Sequence, residues 1–300
     1  MNGSQIARLP DGRRLHMNHG PIDLVVEAYG DDAEVELAYR QAAARFQTIL
    51  DELVTELPEL RRRSERRPRT FTGSTACRME AAASLFAPTF VTPMAAVAGA
   101  VADEVLAVMT AGRRLEKAYV NDGGDSALHI APAGRLDVAI GGTGHGLADR
   151  ISIPGSSPVR GVATSGWRGR SHSLGIADAV TVLARSAAIA DVSATLIAND
   201  VDLPGHPAIA RAPASRLAPD SDLGDRKVTT SVGVLCAQDV DEAIAKGAAT
   251  ATRYLDAGLI EAAALFLNGR SQVVGTVAVS GGPLCRPQFE TRRLVEETHG

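Results

Sequence analysis

Asp191 and Thr195 lie four residues apart in the apolar run 187–198, which Ser186 is placed to cap, so a helix there presents a carboxylate and a hydroxyl on one face. Both are hard oxygen ligands of the kind magnesium or calcium accepts, and magnesium commonly completes its shell with phosphate and water. Among Ala, Ile, Leu and Val such a pair is costly to bury unless something satisfies it. The pair also reads as the solvent side of the helix, with Thr195 bonding back to the backbone.

Upstream, Asn121-Asp122-Gly123-Gly124-Asp125 separates two apolar runs and reads as strand, tight turn, strand, because paired glycines accept positive φ without steric cost. With no Cβ at Gly123 or Gly124 a ligand can approach the backbone, and successive amides flanked by carboxylates can form an anion-binding nest. An ordinary hairpin turn explains the same residues. The segment Thr164-Ser165-Gly166-Trp167-Arg168-Gly169-Arg170 carries two hydroxyls, the only tryptophan and two arginines. Guanidinium groups pair with phosphate oxygens and an indole stacks on flat heterocycles; a solvated basic loop with a packed Trp167 is the plainer alternative.

Taken in order, Gly99-Ala100-Val101-Ala102-Asp103, the Asn121–Asp125 turn, Thr164-Ser165-Gly166, and the strand Ala179-Val180-Thr181-Val182 followed by Ala190-Asp191 and Thr195 resemble the motifs of the ApbE family of flavin transferases. The resemblance covers the middle third of the chain and is specific as an ordered set. It implies FAD as ligand or substrate, a divalent metal (Mg2+ or Ca2+) on Asp191 and Thr195, and transfer of FMN to a threonine of a partner protein with release of AMP, or hydrolysis of FAD to FMN and AMP. It also implies a dinucleotide loop at Gly123, Gly124 and Asp125, and a pocket lined by Gly99, Asp103, Thr164, Ser165 and Gly166. Asp191 and His172 would be the catalytic residues, His172 resembling the family histidine that precedes the Val-Thr-Val strand. A metal bridging pyrophosphate oxygens would neutralise charge at the phosphorus while the histidine took the proton of the incoming hydroxyl. His172 also reads as a surface residue of a basic loop.

Two departures from the family pattern bear on activity rather than fold. Ala98 stands where the family has a lysine, and the segment between Thr-Ser-Gly and the Val-Thr-Val strand is short and lacks an Asp-Pro turn. A chain on the same scaffold that binds a ligand without turnover, a complex subunit, or a hydrolase or transferase acting on another small metabolite are therefore the alternatives.

With 300 residues, 45% hydrophobic and 22% charged, the chain is long enough for one large core. A net charge of −4 argues against a nucleic-acid partner. Charges and the lack of an apolar core in residues 1–18 predict neither secretory signal nor lipid anchor, hence a cytoplasmic protein. The apolar run Phe90–Val108 contains Pro93, Asp103 and Glu104 and predicts a core helix rather than a membrane span. Cys77, Cys236 and Cys285 lack pair spacing, which predicts buried or incidental thiols. A small-molecule nucleotide, a protein acceptor or partner subunit, and a second copy of the chain are the expected partners.

The elements that must position these residues follow from periodicity and caps. A strand is expected at 22–29, an amphipathic helix over 34–60, a basic solvated linker at 61–69, and an alanine-rich helix opened by Thr92 or Pro93 and ending near Gly112. Strands are expected at 117–121, 126–131, 135–140, 159–164 and 179–184, then the Asp191 helix, a strand at 231–235, a helix over 239–257, and strands at 260–267 and 272–279. Hairpins without regular βαβ units predict an α+β fold, with antiparallel or mixed sheets covered by helices. One domain over 1–300, or two interlocked lobes of about 1–115 and 116–300, is expected. Asp220, Asp222 and Asp225 read as a polar turn closing onto Arg226, and Gly141-Gly142-Thr143-Gly144 as a loop with His145 as a secondary candidate.

Overall fold

A computed structural model of the chain describes residues 3–139, 150–276 and 279–280. His145 and Cys285 lie outside the described residues. The chain order is β1 (Gln5–Arg8), β2 (Leu15–His19), β3 (Ile22–Gly30), α1 (Asp32–Leu60), α2 (Ser74–Ser84), a 3-10 turn (Pro93–Ala96), α3 (Val97–Thr110), β4 (Leu115–Asp122), β5 (Asp125–Ile130), β6 (Arg135–Ala139) and β7 (Arg150–Pro154). There follow β8 (Gly161–Ser165), β9 (Ala179–Ala184), α4 (Ala187–Asp200), β10 (Ile209–Pro213), α5 (Ala214–Leu217), β11 (Lys227–Val232), α6 (Ala237–Asp256), β12 (Ala262–Leu267), β13 (Arg270–Gly275) and β14 (Val279–Ser280). The α+β expectation holds.

Nine strands form one sheet in the order β1-β2-β3-β4-β5-β8-β9-β12-β13, and every neighbouring pair is antiparallel. A three-stranded sheet, β14-β7-β6, and the β10-β11 ribbon stand apart from it. Alternation decides what each face meets. Leu115, Ala118 and Val120 of β4 and Ala127 of β5 join the core built with α1, α3 and α4. Leu128 and Ile130 of β5 instead pack with Leu136, Ile151 and Ile153 of the small sheet. Strands β9 and β12 are buried at every position because α4 and α6 cover one face and the small sheet approaches the other.

Helix α1 begins where Asp31 accepts the Ala33 amide at 3.0 Å, and buries Ala42, Phe46, Ile49 and Leu53 along its inner stripe, as the spacing predicts. Thr92 caps the turn that leads into α3. The stretch Pro93–Thr110 is long and apolar enough to cross a membrane by length and composition, and Gly99–Ala102, Val105, Leu106 and Met109 are buried in the core of this fold.

Several expectations are corrected. The 231–235 strand is instead Lys227–Val232. Residues 61–69 are not simply a solvated linker, because Arg69 donates to the fully buried Glu80 at 2.8 Å and to the carbonyls of Glu59 and Arg62. The aspartate turn closes onto Arg226 through its amide, which donates to the Leu223 carbonyl at 3.2 Å, and not through the Arg226 side chain. It lies 3.4 Å from the centre of the Phe90 ring, while Asp225 accepts from Ser215 and Asp222 from Thr92. Cys77 and Cys236 are free and exposed, which leaves incidental thiols of the two expected alternatives.

Candidate functional site

The β4–β5 hairpin turns at Gly123 and Gly124, whose φ values of 63° and 133° are accessible to glycine at little cost. Its closing pair is Asp122 and Asp125, cross-strand partners on the helix-facing side of the sheet. Like charges directly opposite one another repel. Burial drives the Asp122 carboxyl up to about 7, against opposing help from the Asp23 amide and the Arg170 charge. Burial likewise raises Asp125 to about 7, reinforced by Asp122 and offset by the Thr164 amide, which donates at 3.1 Å.

That amide comes from the end of β8, so the Thr164-Ser165-Gly166 segment is tied directly to the hairpin. Thr164 Oγ1 meets Thr181 Oγ1 at 2.9 Å across to β9. Ser165, one residue on, points to the helix layer and accepts from Thr195 Oγ1 at 3.5 Å. Thr195 is therefore directed at the turn segment and not back to its own helix.

Asp191 shares that helix face. It accepts the Gly99 amide at 3.1 Å, and burial, with repulsion from Asp125, holds its carboxyl well above the ordinary range. Asp103 accepts the amides of Ala187 and Ala188 at 3.0 and 2.9 Å, capping α4 from α3, and burial raises its carboxyl too. A Cβ on Gly99 would run into the backbone of Ala187, so this close helix crossing requires glycine. Gly99 and Asp103, expected as pocket lining, thus build the α3–α4 junction and do not line the cleft described next.

On the opposite face of the sheet lies a cleft of about 1250 Å³. Tyr119, Asn121 and Ser126 form its wall, Arg14, Arg150, Arg168 and Arg270 supply positive charge, and Gly123, Gly124, Thr164, Ser165 and Gly166 form the rim nearest the carboxylates. Its size exceeds the ~300–1,000 Å³ usual for drug-sized ligands, which leaves room for a dinucleotide. Ser165 belongs to both sides, lining the cleft while touching Thr195.

The structure therefore brings together Gly123, Gly124, Asp125, Thr164, Ser165, Gly166, Asp191 and Thr195. It does not bring His172 to the cleft lining: that residue is exposed, with no hydrogen-bond partner among the described residues. Trp167 is not a cleft-lining residue either. Its ring is half-buried under the Arg168 guanidinium at 4.9 Å, and Arg168 pairs with Asp178 at 2.6 Å. Asp122 was absent from the expected site, although its place beside the paired glycines was the available signal.

For a divalent cation, the donor set is chemically suitable: the buried Asp122 and half-buried Asp125 and Asp191 carboxylates, without an ion-pair partner among the described residues, plus nearby hydroxyls. No three His, Cys, Asp or Glu side chains among the described residues form a ready-made cage. A cation here would need ligand oxygens or water to complete its shell, as magnesium commonly does.

A family model described as AbpE bacteria matches residues 6–273. The chain belongs to this bacterial ApbE-like family. A UPF0280 protein of Methanopyrus kandleri is 40% identical over 116 residues, covering 37% of this ApbE-like chain and 44% of the relative. One from Methanothrix thermoacetophila is 41% identical over 127 residues, covering 41% and 51%. The chain thus spans about half the length of the curated relatives it matches. Among solved structures, the apo flavinyl transferase ApbE of Pseudomonas stutzeri is 12% identical with a TM-score of 0.44, covering 92% of this chain and 96% of the other. A flavin transferase ApbE of Vibrio cholerae is 12% identical with a TM-score of 0.47, covering 87% and 96%.

Proposed function

We propose that this ApbE-like chain binds FAD with a divalent cation and cleaves its diphosphate, passing FMN to a hydroxyl of an acceptor protein or, with water as acceptor, releasing free FMN. The observation that carries this reading is the placement of Asp122 and Asp125 on either side of the glycine turn that rims a cleft large enough for a dinucleotide, with Asp191 near enough to feel both charges. A cation held by Asp191, Asp125 and Thr195 would neutralise charge on the phosphorus under attack.

The chain's own residues do the rest. The open backbone at Gly124 leaves room for phosphate oxygens, and Thr164 and Ser165 present polar groups at the same rim. The acceptor oxygen bonds to phosphorus on the FMN side, the diphosphate bridge breaks, and AMP leaves with the bridging oxygen. His172, exposed on the loop that follows Arg170, is proposed to take the acceptor's proton.

A second reading has its own support. Asp191 and Asp103 are already engaged with backbone amides, which accounts for both without a reaction, and a module that binds nucleotide without turnover would need no more. Incubation with FAD and magnesium, with and without candidate acceptor protein, followed by chromatography for AMP and FMN, separates the two. AMP in either arm supports catalysis. Calorimetric FAD binding without AMP leaves the binding module, and no binding with no AMP overturns both.

A further inference from the structure

We propose that Arg170 is the residue that grips the phosphates of the bound ligand, held over the glycine turn by the missing side chain at position 123. It rests on the reading that the cleft takes a diphosphate, and goes further by assigning a binding group outside the expected site.

The placement comes from the turn itself. A Cβ at Gly123 would overlap the Arg170 guanidinium, so the space a side chain would fill at 123 is occupied by that group. At Gly124 nothing lies within 4 Å of the corresponding position, and both glycines line the cleft. One glycine therefore seats the arginine while its neighbour leaves open backbone beside it. A phosphate over Gly124 would lie next to a planar fork of N–H donors, the geometry that matches phosphate oxygens.

The charge on Arg170 is also free to be used. Of the four arginines that line the cleft, Arg14 pairs with Asp11, Arg168 with Asp178 and Arg270 with Asp241, at 2.5, 2.6 and 3.7 Å, and the fourth, Arg150, belongs to β7 of the small sheet. Arg170 has no carboxylate within 4.0 Å among the described residues, although Asp122 and Asp125 both feel its field. It is exposed and stands just outside the cleft lining, its guanidinium resting on the Gly123 backbone at the rim. An anion arriving from the cleft would meet Arg170 beside the open backbone of Gly124, which favours phosphate oxygens over a neutral ligand.

The test is calorimetric binding of ADP, in the presence of magnesium, to the full chain and to Arg170→Ala and Arg170→Lys. Arg170→Ala is expected to weaken ADP by about 10-fold or more, the usual worth of a charge-assisted hydrogen bond, and to flatten the dependence on salt. Arg170→Lys should recover only part of the loss because a lysine cannot present the fork. Arg185→Ala, at the opposite end of β9 and paired with Glu261, should bind as the parent does. Gly123→Ala, which displaces the guanidinium while keeping its charge, should weaken ADP as well. Equal ADP affinity in parent and Arg170→Ala overturns the assignment of Arg170. Absence of ADP and FAD binding in the parent overturns the reading of the cleft instead.

Discussion

Asp103 and Asp191 cap each other's helices. Asp103 of α3 accepts the first amides of α4, and Asp191 of α4 accepts the amide of Gly99 in the first turn of α3. Each carboxylate stands four residues beyond the backbone its partner touches, so the crossing is reciprocal and the site carboxylate at 191 is fixed by the same bonds that fix the fold.

Gly99→Ala tests that junction. Alanine gains about 1 kcal/mol of helix propensity over glycine. The added Cβ meets the backbone of Ala187, which cannot move aside as a side chain could, and overpacking costs typically 1–3 kcal/mol. Net destabilisation, read as a lower denaturant midpoint at unchanged slope, is expected. A gain in stability would show that the helices part readily.

The raised carboxyls set a pH dependence. Asp122 and Asp125 hold their protons to about 7 when folded, whereas the unfolded chain releases them near 3.8. The folded state binds more protons between those values, so stability from these groups is present at low pH and lost as pH rises through about 7. In chelator, thermal stability should decline from about pH 5 to about pH 8, and Asp122→Asn should decline less steeply.

Magnesium should reverse that loss. Carboxylate ligands must be deprotonated to bind, so added magnesium is expected to raise the melting temperature more at about pH 8 than at about pH 6. Asp125→Asn and Asp191→Asn should lose most of the rise. An undiminished rise in either variant removes that residue from the donor set.

Much of this was readable locally. Ser186 as cap, Asp191 and Thr195 on one face, and a glycine hairpin between apolar runs are short-range signals, and each element formed where those signals lie. The contacts that define the site were not readable, because Asp191 meets Gly99 and Asp103 meets Ala187 across more than 80 residues of chain. Asp122 illustrates the same limit. Its residue type was in plain view, but its opposition to Asp125 exists only once the strand register is set. Helix α2 carries little periodic signal, since its buried face mixes Thr75, Ala76, Ala82 and Ala83 with the polar Glu80 and Ser84 and so contrasts little with its outer face.

His172→Ala separates fold from chemistry. The side chain is exposed, so stability and ADP affinity should not change. If His172 takes the proton of the acceptor hydroxyl, turnover should fall about 100-fold or more, within the range of general-base contributions. Parental turnover would exclude it.

Glu80→Ala probes the segment that follows α1. Glu80 is fully buried and accepts from Arg69 and Ser64, so its removal strands a half-buried guanidinium. A loss on the order of 3 kcal/mol in unfolding free energy is expected. A change below about 1 kcal/mol would mean that Arg69 reaches solvent without help.

The great antiparallel sheet acts as a partition, with an open chamber against one side and the acidic residues against the other. The two adjoin at the strand ends, where the backbone is bare at Gly124 and Gly166 packs against the Asp178 carbonyl. Bare main chain at Gly124 and the Arg170 guanidinium over Gly123 thus stand together where the compartments adjoin. Because Gly124 holds φ at 133°, bulk introduced there would strain the hairpin as well as fill the gap between them.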